Sequence, residues 1–392
     1  MARQRKGGAR KGRKVPTDAA ASLPELSRLI DLPAFGDLSL SQAQRDAYQA
    51  HLSTLEAEGI DPSEVEPACV VRLDRYFPAL CAASGVFRAE FSFRFGVVRE
   101  PSAAVGDWVV VRRPEGHNMG VIEFVLPRES DIARWRGGAR GERQTLAANV
   151  DTVLVVQALG GRGMDMERVA RSAVIAADCG AQAAVVLTKA DRAGAEGLFN
   201  NMQIVRRVLG PKVPLAATCA GAPEAAESLA QVASQAGALW GTEGVRDLVP
   251  AGQVAIVLGE SGAGKSTLLN ALLGHEALET AGVRERDDRG RHTTVSRRMV
   301  KIPCAGVIVD EPGLRSLPVM GHERGLARVF PQVAAAAREC RFRNCTHLHE
   351  PGCAVRALAE SGTVPPEMVE AYVGLAREMR ENSATLDPDV VL

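Results

Sequence analysis

The stretch VAIVLGESGAGKSTLLNALLG, residues 254–274, decides the fold. Its five opening residues are apolar and predict a short buried strand, and the spacing of leucines after Lys265 predicts a helix. Between them Gly259, Glu260, Ser261, Gly262, Ala263, Gly264, Lys265 and Ser266 follow the pattern Gly-x4-Gly-Lys-Ser, a phosphate-binding loop placed between strand and helix as that loop requires. The glycines let backbone N–H groups curl around phosphate, and the helix N-terminus favours its negative charge. Lys265 is expected at the β- and γ-phosphates and the Ser266 hydroxyl on Mg²⁺, with Thr267 closing the loop.

Working outward, a second motif lies about 70 residues upstream. AAVVLTKADRAG, residues 183–194, is an apolar run ending in Thr188, Lys189, Ala190 and Asp191. The Asp191 carboxylate is suited to accept from the ring N1–H and 2-amino group of guanine, which adenine lacks, while the Lys189 stem covers the base. A site built on paired polar groups rejects the wrong base strongly, because its own group is then left unpaired. LAATCAG, residues 215–221, is expected to supply the next base-contacting loop, although it lacks the usual Ser-Ala dipeptide.

Downstream, VIVDEPG, residues 307–313, ends another apolar run. Asp310 is placed to hold Mg²⁺ and the Gly313 N–H to meet the γ-phosphate. The polar stretch DDRGRHTTVSRR, residues 287–298, offers Thr293 and Thr294 to close over Mg²⁺ when the γ-phosphate is present. In CRFRNCTHLHEPGC, residues 340–353, Cys340, Cys345, His347 and Cys353 present three thiolates and an imidazole within fourteen residues. That donor set suits a tetrahedral structural Zn²⁺, with His349 as a spare ligand. Arg338, Arg341 and Arg343 crowd the same segment, where they can meet RNA phosphate.

The remaining sequence supplies the setting. At 392 residues the chain predicts two or three domains, and 46% hydrophobic residues suffice for real cores. Lys+Arg and Asp+Glu balance at 47 each, so overall charge favours no partner. The opening MARQRKGGARKGRK carries seven Lys/Arg and no acid, a basic arm able to touch RNA. SLSQAQRDAYQAHLSTLEAEG, residues 39–59, has a Ser cap and helical spacing. From about residue 67 the period falls to two. In VFRAEFSFRF, residues 86–95, Phe87, Ala89, Phe91, Phe93 and Phe95 alternate with polar residues, and short strands around them predict a small OB-type barrel with most aromatics in its core. From about residue 149, apolar runs alternate with helical stretches, which predicts a parallel sheet with ligands at its carboxyl edge. No apolar run is long enough for a membrane span and no secretory signal is present, so the cytoplasm is expected, with the eight cysteines as free thiols or metal ligands.

The order TKAD, GESGAGKS, RGRHTT (289–294), DEPG and CRFRNCTHLHEPGCAV (340–355) resembles the circularly permuted GTPases of the RsgA family over about residues 67–380. The resemblance implies GTP hydrolysis stimulated by the small (30S) ribosomal subunit late in its maturation, with contact to 16S rRNA. It implies one structural Zn²⁺ and Mg²⁺ bound with GTP or GDP; nothing demands more than a monomer. The fold expected is α/β, a circularly permuted P-loop GTPase domain with a mostly parallel sheet, an N-terminal OB-fold β-barrel and a C-terminal helical zinc-binding domain. The divisions fall at 1–66 (basic arm and helical extension), 67–148 (barrel), 149–318 (GTPase) and 319–392 (zinc domain). Thr188 stands where the family usually has Asn, and Glu311 where it has Thr or Ser. Leu314 follows DEPG where some GTPases carry a water-orienting Gln; by the resemblance and by its chemistry, His292 of the switch loop is the candidate catalytic residue beside Lys265. The competing readings are a P-loop ATPase or kinase, with Thr188 counting against guanine, and an RNA-binding module switched by nucleotide without significant turnover.

Overall fold

The computed structural model describes residues 26, 30–74, 77–92, 103–114, 116–117, 119–136, 142–160, 164–219, 226–277, 297–310, 319 and 321–383. The basic arm, Phe93, Phe95, His292, Thr293, Thr294, Glu311, Gly313 and Leu314 lie outside them.

The first helix, α1 (Gln42–Ala57), starts where the sequence provides a cap. Ser41 Oγ accepts from Gln44 N (3.2 Å), and Gln44 Oε1 accepts from Ser41 N (2.9 Å). Such a reciprocal box contributes about 1 kcal/mol to the helix start. The buried Gln44 amide also donates to Pro127 O and to Asn149 Oδ1, both at 3.0 Å, which fixes the helix to the segment leaving the barrel.

Five strands, β1 (Val65–Asp74), β2 (Phe77–Ala82), β3 (Gly85–Phe91), β4 (Trp108–Arg112) and β5 (Gly120–Val125), form the barrel. Their order is β1-β2-β3-β5-β4, with β4 returning to β1 and only β3–β5 parallel. That is the closed OB-type arrangement, which removes the exposed strand edges. Ala68, Val70, Leu80, Phe87, Ala89, Val109, Val111 and Ile122 fill it. A Cβ at Gly120 would lie 2.7 Å from the Phe87 ring, so Phe87 is packed as core and only glycine fits opposite it. A two-stranded hairpin, β6 (Asp131–Arg136) and β7 (Glu142–Ala148), follows the barrel.

The α/β domain runs through β8 (Thr152–Ala158), α2 (Met166–Asp178), β9 (Gln182–Thr188), α3 (Gly194–Leu209), β10 (Leu215–Ala217), α4 (Ala226–Gln235), β11 (Leu239–Trp240), α5 (Gly241–Asp247), β12 (Val254–Leu258), α6 (Lys265–Leu273), β13 (Arg297–Lys301) and β14 (Val307–Asp310). The strand order is β11-β10-β9-β8-β12-β14-β13, parallel except for β13. Strand β13 pairs on its other side with β1, Arg72 opposite Arg298 and Leu73 opposite Arg297, so the sheet continues into the barrel wall. Residues 30–37 cross this junction. Lys301 N donates to Asp31 O (2.7 Å), Lys301 Nζ meets Asp37 (2.8 Å), His275 Nε2 meets the Asp31 carboxylate (2.9 Å), and Phe35 packs edge-on to Trp108.

Helices α7 (Glu323–Val329), α8 (Pro331–Arg338), α9 (Ala354–Glu360) and α10 (Pro366–Ser383) complete the described chain. Among the described residues, no helix is long and apolar enough to cross a membrane. Helix α7 presses against α2 so closely that a Cβ at Gly325 would lie 2.2 Å from Val174 O. The Asp178 carboxylate closes the contact, accepting from Gly325 N (2.8 Å) and His322 Nδ1 (3.0 Å). Ion pairs Arg171–Glu378 (2.7 Å) and Arg207–Glu367 (2.9 Å) tie α10 to α2 and α3.

Burial alone raises the Asp178 pKa, yet the hydrogen bonds from His322 and Gly325 outweigh it and hold the carboxyl below its usual range. A carboxylate depressed in the folded state stabilises the fold above its unfolded pKa of about 4, and that contribution is lost as pH falls through the folded value. Asp178→Asn is therefore expected to lower the thermal midpoint by several degrees at pH 7, with the gap to the parent closing below about pH 4. A gap independent of pH would show that the carboxylate charge plays no part.

Candidate functional site

The parallel pairing of β9, β8, β12 and β14 brings their carboxyl ends to one edge of the sheet. Thr188, the residues from Gly259 onward and Asp310 all fall there, although more than 120 residues of chain separate the first from the last. The loop after β12 leaves the sheet at Gly259, where a Cβ would lie 2.5 Å from Val156 O. It enters α6 at Gly264, which is left-handed at φ 88°. Helix α6 then points its N-terminus and free N–H groups into the loop, the arrangement that binds anions.

Two lysines hold the loop. Lys265 Nζ donates to Gly259 O (2.6 Å) and Glu260 O (2.7 Å), while Lys189 Nζ donates to Gly262 O (2.7 Å). Lys189 reaches it from a left-handed backbone position, φ 54°, at the end of β9. Thr188 is buried, and its Oγ1 donates to Ala263 O at 2.6 Å. The base motif and the phosphate loop are thus bonded to each other through two consecutive residues, by the Thr188 hydroxyl and the Lys189 ammonium.

Beside this seam is a cavity of about 230 Å³ lined by Thr188, Lys189, Asp191, Arg192, Thr218 and Thr267, with Leu268 and Ala271 as its apolar wall. Thr218 comes from the end of β10, where the sequence places the second base-contacting loop. Burial, and then the negative charge of nearby Asp191, raise the pKa of the adjacent Cys219 thiol. Ser266 and Ala263 complete the phosphate loop, and Asp310 stands at the end of β14, in register with Arg298 of β13. Two contacts have no signal in any local motif. Arg168 on α2 bridges Asp165 (3.2 Å) and Glu260 of the phosphate loop, and the 30–37 segment grips His275 and Lys301.

The four residues Cys340, Cys345, His347 and Cys353 also come together. Their donor atoms all lie within 4.8 Å of one another, with His347 Nδ1 at 3.5 Å from both Cys340 Sγ and Cys353 Sγ. Glu350 organises the turn by accepting from Thr346 N (2.7 Å) and Leu348 N (3.2 Å). His349 is exposed and outside the cluster, so the geometry separates it from the four. Arg341, Phe342 and Arg343 project to solvent from the same turn.

A P-loop strand with the earlier-encoded base motif on one side, beyond β8, and the later-encoded acidic strand end next to it on the other defines a circularly permuted P-loop GTPase. A family model described as RsgA GTPase matches residues 125–320. A relative from Streptomyces coelicolor, named small ribosomal subunit biogenesis GTPase RsgA, is 36% identical over 344 residues, covering 87% of each chain. One of the same name from Xanthomonas oryzae pv. oryzae is 39% identical over 277 residues, covering 71% of this chain and 69% of its own. In fold, the chain is similar to the crystal structure of YjeQ from Thermotoga maritima, with a TM-score of 0.58, 22% identity, and coverage of 81% of this chain and 99% of that one. The chain belongs to the RsgA GTPase family and is a GTP hydrolase.

Replacing Thr188 by Val keeps the side-chain shape but deprives Ala263 O of its donor. Thr188→Val is expected to lower stability by about 1–2 kcal/mol in the absence of nucleotide, seen as a thermal midpoint a few degrees lower. An unchanged midpoint would show that this bond contributes nothing to holding the loop.

Proposed function

We propose that this enzyme couples GTP hydrolysis to late maturation of the small ribosomal subunit, binding 16S rRNA as a monomeric, cytoplasmic factor. The observation that carries the nucleotide reading is the single sheet edge on which Thr188–Asp191, Gly259–Thr267 and Asp310 meet. The names of the relatives and the resemblance of the RGRHTT and Cys/His segments support the ribosomal reading. Exposed Arg341, Phe342 and Arg343 offer charge and a stacking surface suited to RNA.

In this reading Asp191 takes the Watson–Crick edge of guanine in the cavity beside Thr188, with the Lys189 stem along the base. The Gly259–Thr267 backbone wraps the phosphates, and Gly313 meets the γ-phosphate. Lys265, now on the Gly259 and Glu260 carbonyls, exchanges those neutral acceptors for phosphate oxygens, a stronger charge-assisted interaction. Ser266 and Asp310, joined by Thr293 or Thr294, are the residues that would hold Mg²⁺, which supplies charge neutralisation on the phosphates. His292 orients the attacking water in place of the missing Gln. The subunit completes the site around the phosphates, so turnover on the free enzyme is slow.

His292→Ala is expected to retain GDP and GTP binding while losing about a hundredfold in small-subunit-stimulated turnover. Phosphate release measured with separated small and large subunits checks this. Full stimulation of the variant would remove His292 from the mechanism, and stimulation by large subunits alone would overturn the ribosomal assignment.

The Cys340, Cys345, His347 and Cys353 donors fit Zn²⁺. Three soft thiolates and one imidazole converge without a carboxylate, and four ligands leave no open position. Such a metal holds the turn rather than acting on substrate. Cys345→Ala and Cys353→Ala are expected to reduce zinc from about one per chain to none, measured by elemental analysis, whereas His349→Ala keeps it. Zinc lost in the His349 variant would reassign the fourth ligand.

A further inference from the structure

Thr188 sits at the seam between base loop and phosphate loop, and its hydroxyl is already engaged. Oγ1 donates to Ala263 O at 2.6 Å, with Gln157 O a remote 3.5 Å away. A hydroxyl carries one hydrogen, so this one has only lone pairs to offer a ligand. The orientation of a bound purine follows from the phosphate loop. The imidazole ring bears N9 and, through ribose, the phosphates, so this ring, which carries N7, lies toward the phosphate-loop side. That is the side where a Cβ on Gly264 would lie 3.5 Å from Thr188 Oγ1. The pyrimidine ring then points away from the phosphates, toward Asp191.

N7 of guanine is an acceptor and needs a donor to be read. Of the neighbouring cations, Lys189 Nζ is bonded to Gly262 O, and the Arg192 stem packs across Gly160, where a Cβ would meet it at 3.1 Å. A side-chain amide at position 188 would have two hydrogens, one for Ala263 O and one for N7. The hydroxyl has one and must choose.

We propose that Thr188 ties the base loop to the phosphate loop and leaves guanine N7 unread, while base selection rests on the Asp191 edge. The enzyme therefore tolerates purine nucleotides altered at position 7. This rests on the guanine reading above, and the two fail in different ways.

The test is calorimetric titration of the full chain with GDP, 7-deaza-GDP, inosine diphosphate and ADP. 7-deaza-GDP is expected to bind within twofold of GDP or more tightly, because an unpaired buried acceptor gains nothing from being nitrogen. Inosine diphosphate lacks the 2-amino group and is expected to bind about tenfold or more weakly, as for a lost hydrogen bond to a charged acceptor. ADP is expected to bind weaker still. A five- to tenfold penalty for 7-deaza-GDP, with GDP still preferred over inosine diphosphate, overturns the inference and leaves the guanine reading intact. Equal binding of GDP, inosine diphosphate and ADP overturns both. In Thr188→Asn, 7-deaza-GDP is expected to bind about five- to tenfold more weakly than GDP; a variant that binds the two alike overturns the role given to the hydroxyl. Thr188→Ser, which keeps the hydroxyl, is expected to behave as the parent.

Discussion

The structure depends on one constraint: β12 lies between two parallel neighbours, β8 and β14, taken from opposite ends of the α/β domain. Ala255 pairs with Thr152 on one side and with Ile308 on the other. Parallel strands share the direction of their carboxyl ends, so this double pairing, extended by the parallel pairing of β8 with β9, aligns the base motif, the phosphate loop and the acidic strand end. Chain order is irrelevant to that alignment, because a sheet fixes neighbours in space and the connections run outside it. The early appearance of TKAD in the sequence is therefore the signature of a permutation rather than of a second site.

Permutation also determines what flanks the nucleotide. Strand β13 is the outer strand of the α/β sheet, and such an edge exposes unpaired backbone groups. Here the barrel strand β1 covers it, and residues 30–37 bond to Lys301 and His275 on either side of the 278–296 segment. Those two residues flank the stretch that carries RGRHTT. The barrel and the N-terminal extension are thus bonded to both ends of that stretch, and any movement of β13 is a movement of the barrel wall.

The fold was legible where local chemistry dictates geometry. Apolar runs bounded by glycine gave β8, β9, β12 and β14, and Ser41 with Gln44 gave the start of α1. Phe87 was read as barrel core, and Gly120 shows why: the ring occupies the space of the missing Cβ. The convergence of Cys340, Cys345, His347 and Cys353 followed from spacing within one turn. What sequence did not yield were contacts between distant segments. Thr188 was visible only as a departure from Asn, because its bond to Ala263 joins residues 75 apart. Arg168 carries no motif at all, since its meaning comes from the position of α2 beside Glu260. The hairpin of β6 and β7 was merged with the barrel because alternating strands look alike in sequence whichever sheet they join.

Helix α2 is where these distant contacts converge. Its first turn holds Arg168 against Glu260 of the phosphate loop, its middle holds Arg171 against Glu378 of α10, and its last residue, Asp178, caps α7. Gly325 permits backbone contact at the third point, so α7 cannot slide on α2 without breaking the Asp178 bonds. Helices α7 and α8 then lead directly to Cys340, and Tyr372 of α10 packs against both Phe330 and His347. One helix therefore touches the phosphate loop at one end and the foundation of the Cys/His cluster at the other. Two routes join the nucleotide to the C-terminal domain: the chain after Asp310, and α2. The second is made of packed side chains and ion pairs.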